Sequence, residues 1–493
     1  MSQDPGPAVP PLPDFASKPA QHRYDAVVVG SGPNGLASAI TIAQAGRSVL
    51  VLEAADRIGG GTRSESLTLP GFLHDVCSAI HALGVLSPFF ESLPREDLGL
   101  SWILPSAPLA HPFDDGPAAM LEGSLDATAE RLDADGNGYR RLFGPLVEHG
   151  SAIMDQIFHP TQIPRHPIVL SRFGLRAIRS ARGLAESWFQ GDRARGLFAG
   201  LAAHSVLPLE QTATGAFGLM LGLTGHLGGW PVARGGSQAI ANAMARQLLA
   251  LGGEIVVGRR VGTLEDCPES RAVLLDVTPR QLLDIAGHAL PEGYRKTLAR
   301  YQYGPGSFKL DWALDGPIPW KDPECARAST VHLGGTFNEV SASERDAWEG
   351  RHSERPFVLV AQQSLFDDSR APTGKHTAWA YCHVPHGSTV DMTDRIEGQM
   401  ERFAPGFKDR VLARHILAPA DFQRHNENLI GGDISGGAAN LRQLLARPAL
   451  RIVPWATPAP NLFLCSSSTP PGPGVHGVCG VLAARAALRS VLR

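Results

Sequence analysis

Lysine is scarce in this sequence, and no block of basic residues occurs. Only six of the 45 basic residues are lysines, and the formal net charge of the 493 residues is −3. Binding to nucleic acid or to an anionic membrane through overall charge requires a basic excess or a basic run. The charge balance therefore indicates neither nucleic acid nor an anionic membrane surface as a partner, and a peripheral membrane contact is left open.

Close cysteine pairs are also absent. The six cysteines stand far apart, so neither a zinc site nor a dithiol redox site is predicted. This usage is typical of a reducing compartment, and we expect a cytoplasmic protein. Residues 1–22 contain six prolines and no apolar run, which predicts a disordered tail rather than a signal peptide.

Charge is missing from one long stretch, "TATGAFGLMLGLTGHLGGW" (212–230). It holds one histidine and no formally charged residue over about the length of a membrane span. The stretch is rich in glycine and lacks flanking charge asymmetry. We therefore expect a helix buried in a large core beside a cofactor, with a membrane span as the alternative.

What the sequence does contain is a dinucleotide-binding pattern near its start. "YDAVVVGSGPNGLASAI" has the form of a buried parallel strand, a glycine-rich turn and a helix. Gly30 allows the tight turn, Gly32 lets the backbone approach a pyrophosphate, and Gly35 lets the helix pack on the strand. A second apolar strand, "SVLVLE", ends in Glu53, about where an acid accepts ribose hydroxyls. Together these features predict a nucleotide site.

The same glycine spacing recurs in "PPGPGVHGVCGVLAARAAL", as Gly472, Gly474 and Gly477. No second strand with a terminal acid follows this second turn, so it does not predict a second nucleotide site. Its glycines open a final helix, whose first N–H groups favour partial negative charge. The second turn is therefore expected to face a part of a ligand other than the pyrophosphate.

Three well-spaced blocks resemble the phytoene-desaturase-like FAD-dependent oxidoreductases. They are "DAVVVGSGPNGLASAITIAQAGRSVLVLEAADRIGGGTRSE", "PVARGGSQAIANAMARQLLALGGEIVVGRRV" and "CSSSTPPGPGVHGVCGVLAARAAL". The segments "YGPGSFKLDWALDGPIPW" and "PFVLVAQQSLFD" look closest to one branch of this family. The resemblance covers most of the chain after the tail, and it implies that the cofactor is FAD in an extended pose.

The resemblance also implies which residues contact FAD. Gly30, Gly32 and Gly35 would meet the pyrophosphate, and Glu53 would meet the adenosine ribose. The other implied contacts are Arg57, Gly59 and Gly60 along the phosphates and ribityl chain, Val261 at the adenine, and Gly474, His476 and Gly477 near the isoalloxazine ring.

The sequence departs from the resembled pattern in two places. The Gly-Gly-Arg of amine-oxidase relatives is replaced by "GGGTR", so Arg63 is not assigned that role. After Val261 the long hairpin of many relatives is shortened. The shortening weakens the prediction of a separate NAD(P)H site, and no further dinucleotide fingerprint occurs.

Two side chains are candidates for catalysis. "SFKLDWAL" alternates with period two and places Lys309 and Asp311 on one face. This pair is predicted at the cavity floor near the flavin, where a lysine of relatives with amine substrates can hold a water at N5; a half-exposed strand is the alternative. His476 is predicted to add a donor or to contact substrate, and a purely structural histidine is the alternative.

Four further segments are less specific. "TAWAYCHV" and "VHLGG" suggest a polar and aromatic sheet lining, with core packing as the alternative. "HDVCSAIHALG" follows the FAD loop and is expected near the flavin, without the fixed spacing of metal ligands. "DADGNGYRRLFG" begins like a calcium loop, but Gly144 stands where a bidentate glutamate is needed, so no calcium site is predicted.

The predicted fold is α/β, with a discontinuous Rossmann-like FAD-binding domain and an α+β substrate domain, in an amine-oxidase or phytoene-desaturase-like architecture. The FAD-binding domain comprises 23–75, 231–282 and 456–493, and the substrate domain comprises 76–230 and 283–455. The predicted function is hydride transfer between a substrate C–H and flavin N5, desaturating a C–C or C–N bond of a largely apolar small molecule. A flavin-dependent isomerase or saturase, and a non-catalytic protein resembling the GDP dissociation inhibitors, are the alternatives.

Overall fold

The structure is a computed structural model that describes residue 12 and residues 14–493. Helices and two main sheets alternate along the chain. The helices are α1 (Pro33–Gln44), α2 (Pro88–Glu91), α3 (Leu125–Glu130), α4 (Gly136–Glu148), α5 (Gly150–Phe158), α6 (Pro167–Ala177), α7 (Ala181–Trp188), α8 (Asp192–Ala203), α9 (Thr214–Leu227), α10 (Gln238–Ala250), α11 (Pro279–Ala286), α12 (Glu292–Ala299), α13 (Phe337–Trp348), α14 (Thr393–Phe403), α15 (Pro419–His425), α16 (Leu441–Leu445) and α17 (Val478–Ser490).

The strands follow the same chain order. They are β1 (Arg23–Val29), β2 (Val49–Leu52), β3 (Ser64–Glu65), β4 (His74–Asp75), β5 (Trp102–Ile103), β6 (Ala107–His111), β7 (Ala119–Leu121), β8 (Val232–Ala233), β9 (Glu254–Val256), β10 (Glu269–Leu275), β11 (Gly306–Leu314), β12 (Ala328–Leu333), β13 (Val358–Ala361), β14 (His376–Val384), β15 (Val411–Leu417) and β16 (Leu462–Leu464).

The first main sheet has five strands in the order β16-β10-β1-β2-β9. Every neighbouring pair in it is parallel. Parallel strands end at the same edge, so the loops after β1, β2 and β10 meet there. The strands of this sheet lie inside the three segments predicted for the FAD-binding domain, whose exact boundaries stay a prediction.

Both faces of the first sheet are covered. Along β1, Ala26 and Val28 pack into one apolar cluster with α1, α10 and α17, while Val27 and Val29 pack into a second cluster with α11. This two-sided burial explains why β1 is a continuous apolar run rather than an alternating one. The layered arrangement leaves the strand ends as the accessible edge of the sheet.

The second main sheet has seven strands in the order β15-β11-β14-β13-β12-β6-β7. It is antiparallel except where β12 pairs with β6. All nine residues of β11 are buried, because β14 and β15 flank the strand and apolar clusters cover the sheet. The half-exposed strand considered as the alternative for "SFKLDWAL" is therefore wrong.

The uncharged stretch 212–230 contains α9, which packs in a large apolar cluster with α4, α7 and α8. Its glycines admit close neighbours: a Cβ at Gly222 would lie 2.5 Å from the Phe143 ring, and one at Gly218 would lie 2.7 Å from Phe198. Among the described residues, no helix combines the length and apolar content needed to cross a bilayer.

Part of the predicted tail contacts the fold. Residues 1–11 and 13 lie outside the described residues. Ala16 pairs with Val256 as an isolated parallel bridge beyond β9, and the Ala20 N–H donates to the Glu254 carboxylate at 2.7 Å. Residues 16–20 are thus held by backbone and carboxylate hydrogen bonds that composition alone did not indicate.

Candidate functional site

A single continuous cavity of about 630 Å³ reaches from the carboxyl edge of the first sheet to the face of the second sheet. At one end it is lined by the loops after β1 and β2, and at the other by β12, β13 and β14 together with α9. A pocket beyond the carboxyl ends of parallel strands is where nucleotides bind in open α/β sheets. The position of the cavity therefore agrees with the first glycine motif.

The glycine turn after β1 forms one wall of the cavity. Gly30 and Gly32 both line it, and Gly30 has a φ of 101°, which only glycine adopts without strain. A Cβ at Gly35 would lie 2.0 Å from the Gly30 carbonyl oxygen. The turn therefore depends on glycine twice: for the backbone bend and for the contact between α1 and β1.

Glu53 is held rigidly at the end of β2. Its Oε2 accepts hydrogen bonds from the Ser31 N–H at 2.9 Å and the Ser31 hydroxyl at 2.6 Å, and its Oε1 accepts from the Ala55 N–H at 2.9 Å. The residue is buried yet lines the cavity. The predicted ribose-binding acid is thus preorganised where a ligand can reach it.

Sequence reasoning missed Asp276, which follows β10 directly. Its Oδ2 accepts the Gly35 N–H at 2.9 Å, and a Cβ at Gly32 would lie 2.8 Å from the same oxygen. Burial raises the pKa of this carboxyl to about 7, and nearby Glu53 adds to the rise. An acid immediately after an apolar strand was the available signal, but only the pairing of β10 with β1 brings it to the glycine turn.

Arg63 also lines the cavity, although the sequence pattern did not assign it the role of the arginine in the Gly-Gly-Arg motif. One terminal nitrogen lies 3.5 Å from Glu53 Oε1, and the other donates to the His425 carbonyl at 3.0 Å. Its Nε is buried and has no hydrogen-bond partner among the described residues. An unsatisfied guanidinium N–H in this position suits an anionic ligand group.

Together these residues fit a dinucleotide. The glycine turn leaves room for a backbone approach, Glu53 offers a fixed acceptor, and Arg63 supplies an unsatisfied N–H. Of the other predicted FAD contacts, Gly60, Val261 and Gly474 line the cavity. Gly35, Arg57, Gly59 and Gly477 are not among its lining residues.

The second glycine turn reaches the cavity through Pro473, Gly474 and Val475. His476 turns away and is buried. Its Nδ1 accepts the Val478 N–H at 3.0 Å, and its Nε2 lies 3.2 Å from the Gly472 carbonyl. Both ring nitrogens are used inside the turn, and burial lowers the pKa of His476 to about 4. These contacts favour the structural alternative, and the contact of His476 with substrate stays a prediction.

Lys309 forms the predicted pair with Asp311, and both side chains are buried. The Lys309 ammonium lies 2.5 Å from each carboxylate oxygen and 5.9 Å from the centre of the Trp379 ring. Trp379 lines the cavity, whereas Lys309 does not. The ammonium group therefore lies behind the cavity wall, and its catalytic role stays a prediction.

The "HDVCSAIHALG" segment divides between the cavity and the fold. Cys77 and His81 line the cavity, as predicted for a segment near the ligand. Asp75 instead pairs with Arg370, whose side chain is fully buried and also binds Asp367. These ion pairs join β4 to the loop before β14. Asp75 therefore has a structural role, which the residue spacing in the sequence did not indicate.

The far end of the cavity is mainly apolar. Phe217, Met220 and Leu221 of α9 lie on one side, opposite Trp379 and Tyr381 of β14. The predicted aromatic lining of "TAWAYCHV" therefore faces a cavity rather than only a packed core. The Nε1 donor of Trp379 is buried and has no partner within the described part of the chain.

Two histidines add polar groups at this end. His383 lines the cavity, and its Nδ1 lies 2.8 and 2.9 Å from the two carboxylate oxygens of the buried Glu344. His204 also lines the cavity, and its Nε2 lies 3.1 Å from Nε2 of His332. Burial lowers the pKa of His204 to about 3. His204 is therefore neutral, while Glu344 holds His383 with Nε2 left for a ligand.

The fold and this cavity define a dinucleotide-binding α/β protein. A family model described as an NAD(P)-binding Rossmann-like domain matches residues 28–93. The chain is 26% identical to pyridine nucleotide-disulfide oxidoreductase domain-containing protein 2 of Rattus norvegicus, over 95% of this chain and 94% of that protein. It is also 26% identical to the neurosporene-forming phytoene desaturase of Rhodobacter capsulatus, over 94% of this chain and 93% of the relative.

Solved structures agree on the fold. An oxidoreductase from Methanosarcina mazei superposes with a TM-score of 0.64 at 16% identity, covering 94% of this chain and 100% of that one. Cyclohexylamine oxidase from Brevibacterium oxydans gives a TM-score of 0.60 at 15% identity, covering 94% and 98%. The predicted α/β architecture and the resemblance to phytoene-desaturase-like proteins are confirmed. So are the predicted class, an FAD-dependent oxidoreductase, and its cofactor, FAD.

Proposed function

We propose that this enzyme removes a hydride and a proton from a largely apolar small molecule and thereby forms a C–C or C–N double bond. The observation that carries the proposal is the continuity of the cavity. Its glycine-rich end fits a dinucleotide, and its other end offers Phe217, Met220, Leu221 and Trp379 to a second molecule. An apolar wall with few polar groups selects an apolar substrate and fixes its orientation.

The redox chemistry of the proposed reaction belongs to FAD, which when bound accepts the hydride from the substrate carbon. The chain supplies the binding surface, the exclusion of water and the handling of the proton. The substrate would lose a hydride from one atom, together with that bonding electron pair, and a proton from the adjacent atom. The electron pair that the departing proton leaves behind forms the new π bond. Loss of the proton requires an acceptor near the substrate.

His383 is the group that we propose as this acceptor. Its Nδ1–H donates to Glu344, which fixes the tautomer with a lone pair on Nε2. The resulting imidazolium would be stabilised by the adjacent buried carboxylate, as in other histidine–carboxylate pairs. No sequence motif identified this pair, because Glu344 and His383 lie on α13 and β14 and meet only in the fold.

Lys309 enters the proposal as a positioning residue. It places a fixed positive charge behind Trp379 without lining the cavity. Asp311 neutralises that charge from the same face of β11. Lys309→Met would leave the buried carboxylate unpaired, so a change in turnover is informative only if flavin content and stability are preserved.

The direct test is anaerobic reduction of the enzyme-bound flavin. The purified protein is mixed in separate experiments with apolar polyenes, with amines of graded alkyl length and with NAD(P)H. Reduction is followed as the loss of the absorption of oxidised flavin at roughly 450 nm. Reduction by an apolar polyene or amine, with appearance of the desaturated product, supports the proposal. Reduction by NAD(P)H alone, or a rearranged product without net flavin reduction, contradicts it.

Two variants of the histidine pair sharpen the test. His383→Gln should lower the rate of flavin reduction by about a hundredfold or more, since a positioned base contributes about that much. Glu344→Gln should shift the pH dependence of that rate while leaving flavin bound. His288→Gln, at an exposed histidine far from the cavity lining, is the matched control. An unchanged rate in His383→Gln would remove the base from the proposal.

A further inference from the structure

The helix α6 and the segment before it carry apolar and basic side chains outward. Ile163 is 90% exposed, Ile168 is 69% exposed and Leu175 is 73% exposed. No residue of α6 is buried. Large apolar side chains that stay exposed together mark a surface used for contact. We define the α6 face as Ile163, Arg165, Ile168, Arg172 and Leu175.

Three of these residues lie within α6, and their spacing places them on one side of the helix; Ile163 and Arg165 belong to the segment before it. Ile168, Arg172 and Leu175 follow each other at intervals of four and three residues, which align on one face of an α-helix. The other side of α6 packs inward: Val169, Leu170 and Phe173 join the apolar cluster that contains α9. The α6 face is therefore the outward side of a helix whose inward side is already occupied.

The charge of this region has one sign. No aspartate or glutamate occurs between Asp155 and Glu186, while the same stretch holds five arginines. Arg182 is engaged with carboxylates. Neither Arg165 nor Arg172 has an ion-pair or hydrogen-bond partner among the described residues. Two unpaired cations thus flank exposed isoleucine and leucine side chains on a protein whose net charge is −3.

From this juxtaposition we propose that the α6 face docks on an anionic phospholipid surface. Apolar side chains would enter the boundary between headgroups and acyl chains, and the arginines would meet lipid phosphates. A second copy of this chain is disfavoured as the occupant, because an isologous contact would bring Arg165 and Arg172 of both copies together. Charge complementarity commits the proposal to a lipid surface.

The position of α6 gives the docking a consequence for the cavity. The helix lies directly against α9, and Phe217, Met220 and Leu221 of α9 line the apolar end of the cavity. A docked α6 would hold that end near the bilayer. The apolar end of the cavity would then be close to apolar substrates in the bilayer. Lipid binding by the α6 face does not depend on the proposed function.

A second exposed apolar segment provides the comparison. Leu445 is 74% exposed, Leu450 is 83% exposed and Ile452 is 95% exposed. Two arginines next to them are engaged: Arg447 is buried, and Arg451 lies over the ring of Tyr294. The segment is as apolar as the α6 face but has fewer free cations beside it, so it is a matched control for apolar exposure.

The test is sedimentation of the holoenzyme with vesicles. The wild type should bind vesicles of phosphatidylcholine and phosphatidylglycerol in equal parts, bind pure phosphatidylcholine vesicles much less, and release as salt is raised. Ile168→Asp/Leu175→Asp and Arg165→Glu/Arg172→Glu should each weaken binding by about tenfold or more. Arg165→Lys/Arg172→Lys should retain binding, because the charge is kept.

The control pair is Leu445→Asp/Leu450→Asp, which should bind the mixed vesicles as the wild type does. Full flavin content in every variant shows that the fold is intact. Equal binding by the α6 variants and the wild type overturns the proposal, and so does a loss confined to the Leu445 and Leu450 variant. Binding to neither vesicle, with a change of oligomeric state in the Ile168 and Leu175 variant, would identify a contact between copies and also overturn it.

Discussion

The two glycine turns share one spacing but differ in what surrounds them. The first, at Gly30 and Gly32, lies between two parallel strands. Glu53, at the end of a neighbouring strand, accepts a hydrogen bond from the N–H of Ser31 in this turn, and Asp276 accepts one from the N–H of Gly35 in the helix that follows. The second, from Gly472 to Gly477, is tied to itself by His476. The first turn is therefore polar and faces a ligand, whereas the second is a closed loop that presents backbone to the cavity.

The two turns also meet. A Cβ at Gly480, in the first turn of α17, would lie 1.9 Å from the Asn34 carbonyl oxygen at the start of α1. The helices that leave the two turns thus pack through backbone, and each fixes the position of the other. The shared spacing reflects a shared need for close backbone contact. The difference in function comes from which strand ends lie beside each turn.

The largest expected effect is on the first turn. Gly35→Ala places a Cβ 2.0 Å from the Gly30 carbonyl, and neither backbone can move without separating α1 from β1. We expect a loss of about 3–5 kcal/mol in the free energy of unfolding and loss of stoichiometric flavin, measured by urea denaturation and absorbance.

Gly174→Ala is the control for that substitution. Gly174 lies within α6, and a Cβ there would have nothing within 4 Å. This variant should gain up to about 1 kcal/mol from helix propensity and keep its flavin. Wild-type stability and full flavin in Gly35→Ala would show that the close contact of α1 with β1 is not required.

The next largest effect is a pH dependence of stability and of FAD affinity. We expect it at the first glycine turn, because the Asp276 carboxyl lies beside that turn. Folding raises the pKa of Asp276 from 3.8 to about 7, so its protonated form is favoured in the folded state. Its contribution to stability is fully present below the unfolded pKa and is lost as pH rises through about 7. Since a carboxylate beside the glycine turn also repels a diphosphate, FAD affinity should fall by about tenfold between roughly pH 6 and pH 8.

Asp276→Asn should flatten that pH dependence. The amide oxygen can still accept the Gly35 N–H, but no charge develops. FAD binding to the apoprotein, followed by fluorescence across pH, is the measurement. Glu269→Gln, at an exposed carboxylate that pairs with Arg23 and is not among the cavity-lining residues, is the control and should keep the wild-type pH dependence of FAD binding. A pH dependence that persists in Asp276→Asn would assign the titration to another group.

A smaller effect is expected from adding charge to the second turn. Gly477 is unsuited to carry it, because its φ is 70° and a Cβ would lie 2.8 Å from the Phe89 ring. Val475 lines the cavity and leaves the turn glycines intact. Val475→Asp should keep FAD bound and lower the flavin reduction potential by about 20 mV, equivalent to about 1 kcal/mol at a helix end.

The neutral variant Val475→Asn is the control for the carboxylate, and its potential should stay near that of the wild type. Potentials are measured by equilibrating each variant with reference dyes. If Val475→Asp and Val475→Asn have the same potential, the second turn does not act electrostatically on the ring. The division of roles between the two turns would then be wrong.

Much of the first site could be predicted because its pattern is local. The strand, the spaced glycines and Glu53 fall within one βαβ unit, where the period of the sequence fixes their relative positions. Asp276, Arg63 and the pair Glu344–His383 could not be found this way. Asp276 reaches the glycine turn only through strand pairing, and Glu344 meets His383 only through the packing of α13 on β14.

Lys309 and Asp311 show a second limit of prediction from a local pattern. Alternation along β11 correctly placed both side chains on one face, and the structure pairs them. It did not indicate that the strand is buried on both faces, since that depends on β14, β15 and the clusters packed against the sheet. A local period predicts the direction of a side chain but not what lies opposite it.

The smallest expected effect concerns His476 and decides whether the second turn has a chemical role. Its ring accepts the Val478 N–H and donates to the Gly472 carbonyl, and glutamine can supply one acceptor and one donor in their place. We expect His476→Gln to lose about 1 kcal/mol of stability, the worth of one imperfect hydrogen bond. The rate of flavin reduction should stay within about twofold of the wild type, because both ring nitrogens of His476 are already engaged in hydrogen bonds inside the turn. His159→Gln, at a histidine that directly follows α5 and is not among the cavity-lining residues, is the control for loss of an imidazole. A large fall in flavin reduction with unchanged stability would place His476 in contact with substrate, and the second turn would then share in the chemistry instead of only shaping the cavity beside it.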